Sequence, residues 1–127
     1  MEASGTSPNI ELVRAAYVAF NARDADRLCE LMSPDGELYP YAIREARVKG
    51  YHGHAGLRQY IADVEEQFTD FRVELDHYSE AAEDVVYVRG HLHGHTKDLL
   101  EVDLPVGWLW TVRDGRLLRM QADPRGR

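Results

Sequence analysis

The stretch that decides the fold runs from Val102 to Asp123, VDLPVGWLWTVRDGRLLRMQAD. Asp114-Gly115 lies between two apolar runs, and both residues tolerate the positive φ that a two-residue hairpin turn demands. The spacing predicts two antiparallel strands. Alternation places Val106, Trp108, Trp110 and Val112 on one face, then Leu118, Met120 and Ala122 on the returning strand. That face is a broad apolar wall, and such a wall is either packed core or the lining of a pocket for an apolar ligand.

Upstream, Val85 to Thr96 reads as a further strand. Its even positions are Val86, Val88, Gly90, Leu92 and Gly94, and its odd positions are Tyr87, Arg89, His91, His93 and His95. Hydrophobicity makes the even face the inner one. On the following strand the inner set is Val102, Leu104, Val106, Trp108 and Trp110, with Asp103 outward. On the last strand Arg119, Gln121 and Asp123 point outward. Gly90 and Gly94 are expected opposite the indoles, as interdigitation or as room. Phe71, Val73 and Leu75 alternate with charges in another strand, and Glu37 to Tyr41 reads as a short one.

The first half of the chain reads as helices. Ser7-Pro8 is an N-cap followed by proline at the first helical position. Ile10, Val13, Tyr17 and Phe20 then recur at helical spacing. Asp24 caps a shorter helix carrying Leu28, Leu31 and Met32, which Pro34-Asp35-Gly36 stops. A third helix spans Gly53 to Phe68, with Leu57, Ile61, Val64 and Phe68 on one face. Ala42 to Lys49 reads as a mobile loop. Residues 1–8 read as a disordered tail and 9–127 as one domain. The class is α+β: a curved, largely antiparallel sheet holding three helices from the N-terminal half on one face.

Composition narrows the function. Fifteen Lys+Arg against 22 Asp+Glu leave a net charge of −7, which argues against a nucleic-acid surface. No run of about eighteen apolar residues exists, so no membrane span is expected. The N-terminus, MEASGTSPN, lacks a basic region followed by an apolar one, so no signal peptide is expected. Cys29, the single cysteine, reads as a buried small apolar residue between Leu28 and Leu31. A cytoplasmic location fits these features. No cofactor is expected.

Asn9–Asp35 (NIELVRAAYVAFNARDADRLCELMSPD), Tyr51–Phe68 (YHGHAGLRQYIADVEEQF) and Trp110–Asp123 (WTVRDGRLLRMQAD) together resemble the SnoaL-like proteins. Those belong to the nuclear-transport-factor-2-like, cystatin-like superfamily, which includes ketosteroid isomerases, limonene epoxide hydrolases and scytalone dehydratases. The resemblance rests on the Asn-Ala-Arg-Asp turn, the Tyr-x-Gly-x-x-Gly start of the third helix and the Asp-Gly hairpin. It implies a cone of curved sheet wrapped around three helices, a pocket at the wide end, and a homodimer paired through the outer sheet face. The family's catalytic groups carry over unevenly. The ketosteroid isomerase base falls at Tyr39-Pro40, its buried acidic donor at Trp108, and its oxyanion tyrosine at Ala16, with Tyr17 one helical step of about 100° away. The last-strand aspartate of the epoxide hydrolases falls at Met120. The polyketide cyclase acid falls near Gln121-Ala122-Asp123, with Asp123 one residue off register, and a one-residue slip turns a side chain to the other face.

The resulting site expectation has three parts. Tyr17, Phe20, Tyr41, Tyr60, Val88, Leu92, Val106, Trp108, Trp110 and Met120 form a pocket for a small apolar molecule, since aromatic rings with polar tips suit a ligand carrying one or two oxygens. Asp123 and Tyr39 are the candidate catalytic groups if the protein is a polyketide-cyclase-like, isomerase or epoxide-hydrolase-like enzyme. The site itself assigns no metal. The alternative is a metal-binding protein using His91 and His93, whose side chains project about 7 Å apart on one strand face, with His77 or Asp103 as third ligand. A pH-sensitive dimer interface is the other use for these histidines.

Overall fold

Helix formation at the start of the chain follows from its caps. The computed structural model describes residues 7–123. Ser7 Oγ accepts from the Ile10 N–H at 3.1 Å and Pro8 opens α1 (Pro8–Asn21). The expected tail therefore does not reach residue 8; residues 1–6, and the last four of the expected domain, lie outside the described residues. Asp24 accepts from the Arg27 N–H at 3.1 Å and starts α2 (Ala25–Leu31). Cys29 is half-buried against the core rather than fully enclosed.

Pro34-Asp35-Gly36 does not end an element as expected. It lies inside β1 (Met32–Tyr39). On one side of the break Met32 pairs with Leu117, and on the other Glu37 pairs with Arg119. Four residues of β1 thus face one of its partner, and Pro34, which has no N–H to give, occupies the unpaired loop of that bulge. The expected loop 42–49 contains a four-residue helix, α3 (Ala46–Lys49), with Ile43 and Ala46 buried. Then follow β2 (Tyr51–His52), α4 (Gly53–Gln67), β3 (Phe68–Ala82), β4 (Val85–Thr96), β5 (Glu101–Arg113) and β6 (Arg116–Asp123). The fold is α+β, with one mixed six-stranded sheet in the order β2-β1-β6-β5-β4-β3. Only the β1–β6 pairing is parallel.

The hairpin forms at Asp114-Gly115, with φ of 53° and 75°. Its register differs from strict alternation at one point. Thr111 pairs with Arg119 but Val112 with Leu117, so Leu118 is the extra residue of a bulge. Leu117, 1% exposed, takes the inner position expected for Leu118. Leu104, expected inward, is 43% exposed, at an end of β5 left uncovered. On β4 the alternation holds: Val86, Val88 and Leu92 are buried.

Gly90 and Gly94 serve the backbone rather than opening space beside the indoles. A Cβ at Gly90 would collide with the Glu74 carbonyl, and one at Gly94 would lie 2.9 Å from the Phe71 Cα. Both glycines face breaks in the β3 register, and the indoles pair instead with Val86 and Val88. The bulges bend β3 over α1. Asn21, at the end of α1, completes that junction by acting as a strand edge. Its Nδ2 donates to the Val73 carbonyl at 2.8 Å, and its Oδ1 accepts from the Val73 N–H at 2.9 Å. No helix among the described residues is long and apolar enough to cross a membrane.

Candidate functional site

Between the helices and the concave side of the sheet lies a cavity. Ala16, Tyr17 and Phe20 of α1, Leu28 of α2, and Leu57 and Tyr60 of α4 form one side. Leu38, Val73, Leu92, Trp108, Trp110 and Met120 of the sheet form the other, and Tyr41 and Ala42 close the rim. Every lining residue is buried except Tyr41 and Ala42, so the opening lies there. Arg47 holds that rim: its Nε donates to the Tyr41 carbonyl at 2.7 Å and its guanidinium sits 3.9 Å over the Tyr41 ring. The space totals about 500 Å³ between atoms, but only about 40 Å³ admits the centre of a water molecule. By that measure it holds roughly three waters, so the cone is a narrow slot.

Aromatic packing shapes the slot. Phe20 and Tyr60 stack with centroids 5.4 Å apart, and Tyr17 meets Trp108 at 5.7 Å and Trp110 edge-on at 5.8 Å. The Trp110 Nε1–H donates to the Tyr17 hydroxyl at 3.0 Å in a buried contact. Burial pushes the Tyr17 phenol well above its usual range, an effect the Trp110 hydrogen bond partly offsets. Burial likewise raises Tyr60. Both phenols therefore stay protonated at neutral pH. Next to Tyr60, at 5.2 Å, Tyr51 donates to Asp63 Oδ2 at 2.6 Å, and its phenol is raised by burial first and by that carboxylate second.

Eight of the ten expected lining residues thus come together on the cavity wall. Val88 and Val106 face inward and are buried, but lie outside the cavity, because alternation fixes the facing of a side chain and not its depth along the cone. The expectations missed Ala16, Leu28, Leu38, Ala42, Leu57 and Val73. Leu28, Leu57 and Val73 were legible as core positions, but nothing in periodicity says which core positions border a void. The helical-step argument placed Tyr17 away from the family's position at Ala16; in the structure both line the cavity.

Neither candidate catalytic residue lines it. Asp123 is half-buried at the end of β6, opposite Gly107. Tyr39 donates to Glu37 Oε1 at 3.1 Å, has the Arg119 guanidinium 4.9 Å from its ring, and borders a separate surface cleft with Arg47 and Gln121. Its phenol is raised by desolvation first and the Glu37 contact second. The histidines lie on the outer sheet face and are taken by carboxylates. His93 reaches Glu74 at 2.9 Å and Asp103 at 3.5 Å, His95 reaches Asp70 at 3.2 Å, and His91 lies 3.9 Å from Asp76. The His91 and His93 rings stack at 5.7 Å. Among the described residues no group of three or more His, Cys, Asp or Glu is arranged to hold a metal ion. The metal alternative through His91 and His93 is therefore corrected: these imidazoles face separate carboxylates instead of converging.

A mixed sheet closed over helices is the fold also seen in solved proteins described as ketosteroid-isomerase-like and as cystatin-fold. Residues 13–120 match the SnoaL-like domain family, and the chain belongs to that family. No curated protein matches the sequence. Among solved structures, TerC co-crystallised with polyporic acid is similar at 31% identity and a TM-score of 0.78, over 91% of this chain and 90% of TerC. An NTF2-like protein of unknown function from Burkholderia pseudomallei K96243 is similar at 22% identity and a TM-score of 0.81, over 92% and 90% of the two chains. A candidate SnoaL-like polyketide cyclase from Jannaschia sp. CCS1 is similar at 20% identity and a TM-score of 0.77, over 96% and 88%. The last two likenesses speak to fold alone.

Proposed function

We propose that this protein binds a small, flat, apolar molecule in the slot between α1, α4 and the sheet, and does so in the cytoplasm as a homodimer paired through the outer sheet face. The observation that carries the reading is the wall itself: Tyr17, Phe20, Tyr60, Trp108 and Trp110 enclose a thin space with one rim. Apolar aromatic pockets with few polar groups are the usual form of small-molecule sites. The enzymatic alternative needs a base beside the ligand, and among the described residues no carboxylate or imidazole lines the cavity. Asp123 and Tyr39, its candidate residues, sit elsewhere, so the binding reading is preferred.

Both tryptophans of the chain line the cavity, so fluorescence excited selectively at tryptophan reports on this site. The flat hydrocarbon indane is a suitable probe. Saturable quenching is expected, and Trp108→Ala is expected to weaken it roughly tenfold, the equivalent of about 1.4 kcal/mol. Quenching that fails to saturate, or an unchanged affinity in Trp108→Ala, would overturn the reading. Light scattering decides the pairing: the outer face presents Leu109, 41% exposed, and a monomer at micromolar concentration removes that part of the proposal.

A further inference from the structure

A second recess adjoins the mouth of the slot. Tyr39, Pro40, Tyr41, Arg47, Gln121 and Ala122 line it, and Tyr41 lines the slot as well. Each tyrosine of the recess carries a guanidinium on its ring: Arg47 lies 3.9 Å over Tyr41, and Arg119 lies 4.9 Å over Tyr39. Arg47 is held further by its Nε, which donates to the Tyr41 carbonyl at 2.7 Å. Among the described residues its two terminal nitrogens have no acceptor. By contrast Arg23, Arg27 and Arg58 each face a carboxylate within 3.1 Å. Arg119 donates to Gln121 Oε1 at 3.4 Å, which leaves the Gln121 amide N–H groups for another partner. Tyr39 gives its proton to Glu37 at 3.1 Å, and no carboxylate lines the recess among the described residues. A planar guanidinium fixed along one edge presents the other as a fork that matches the two oxygens of a carboxylate.

We propose that the recess beside Tyr41 is an anion subsite: the ligand whose apolar body fills the slot carries a carboxylate or comparable acidic oxygens, which pass the rim and pair with Arg47, with the Gln121 amide as second donor. This rests on the binding reading and adds a charge to its ligand. The division of labour follows from solvation. No charged side chain lines the slot among the described residues, so an anion drawn inside would be buried without a partner. At the rim the anion keeps part of its water and gains a cation. The chain carries a net charge of −7, so its overall field repels anions and only a local cation favours one. Arg47 is already ordered by the Tyr41 ring and carbonyl, and less of the pairing energy is lost to fixing a long side chain.

The experiment uses three probes with one body: indane, 3-(indan-5-yl)propanoate and the matching propanamide, whose flexible arm reaches from the slot to the recess. Affinities are measured by calorimetry at low ionic strength. The readout is the change from wild type to variant for each probe, which cancels their different hydration in water. Arg47→Met keeps the apolar stem and removes the charge. It is expected to weaken the propanoate roughly 3- to 5-fold, the upper span of an exposed ion pair. Indane and the amide are expected to stay within about twofold, because the slot they pack in is retained. Arg44→Met removes the same charge from an exposed residue of the same segment that lines neither space, and is expected to leave all three probes within about twofold, since screening confines the effect of an exposed charge to its neighbours. Arg47→Lys is expected to recover part of the propanoate affinity. Equal shifts for propanoate and amide in Arg47→Met would overturn the subsite while leaving the binding reading intact. Equal propanoate losses in Arg44→Met and Arg47→Met would assign the effect to net charge and overturn it as well. Failure of indane to bind the wild-type protein would defeat the binding reading and the subsite together.

Discussion

The two faces of β4 and β5 carry opposite chemistry on the same backbone. Inward, Val86, Val88, Leu92, Val106, Trp108 and Trp110 present apolar surface, and at the slot the Trp110 N–H donates to the Tyr17 hydroxyl in a buried contact. Outward, His91, His93 and His95 face Asp76, Glu74, Asp103 and Asp70, so each donor there has a carboxylate. The difference follows from solvent. An exposed ion pair costs little to form and contributes little, whereas a buried charge is expensive enough to be excluded. The imidazoles and carboxylates of these strands therefore collect on the outside, and among the described residues the cavity wall keeps only phenols and indoles as its polar side-chain groups. Among the described residues no carboxylate or imidazole lines the cavity on the inner side.

The sharpest way to break the comparison is to move a charge across the sheet. Val88→Asp puts a carboxylate at a fully buried position, and is expected to cost about 3–5 kcal/mol, the scale of an uncompensated buried charge. Arg89→Asp, one residue away on the outer face, is expected to change stability by no more than about 0.5 kcal/mol. Urea denaturation measures both, and similar midpoints for the two variants would show that the faces are not distinct.

Next in size is the alkaline limit. Tyr17 and Tyr60 have phenols raised above their ordinary value of 10.0 by burial. Their contribution to stability is complete below that ordinary value, which the unfolded chain retains, and is lost as pH rises from there toward the folded values. Each phenol is expected to remove about 1.4 kcal/mol per pH unit in that interval. Absorbance titration should show these two ionising only together with unfolding, and phenolate formation from both in the folded protein would contradict the assignment.

The smallest effect belongs to the outer face. The His95 contact is the main cause holding the Asp70 carboxyl below its ordinary value of 3.8. That contribution is present above 3.8 and disappears as pH falls through the lowered folded value. In His95→Gln, NMR titration is expected to return Asp70 toward 3.8 while the melting temperature at neutral pH barely moves, because the pair is exposed. An Asp70 titration that is unchanged in the variant would remove the pairing.

Much of this architecture was legible because it depends on local chemistry. Ser7 and Asp24 mark helix starts through their own side-chain oxygens, and Asp114-Gly115 marks the hairpin because few residue pairs accept its backbone angles. The alternation of β4 separates the wall from the histidine rows without error. The site was legible only as a face. Tyr17, Trp108 and Trp110 could be assigned inward, but not the hydrogen bond between Tyr17 and Trp110, whose partners are 93 residues apart.

The amino-acid sequence by itself determined the three longer helices, the order of the main strands and the sidedness of β4, since these follow from backbone preference and from which side chains avoid water. Tertiary structure alone decided that Leu117 rather than Leu118 turns inward, that Gly90 yields to the Glu74 carbonyl, and that Val88 packs solid where Leu92 borders a void. Those outcomes depend on how distant segments meet, and neither bulge geometry nor the volume left between packed surfaces has a local signature in the chain.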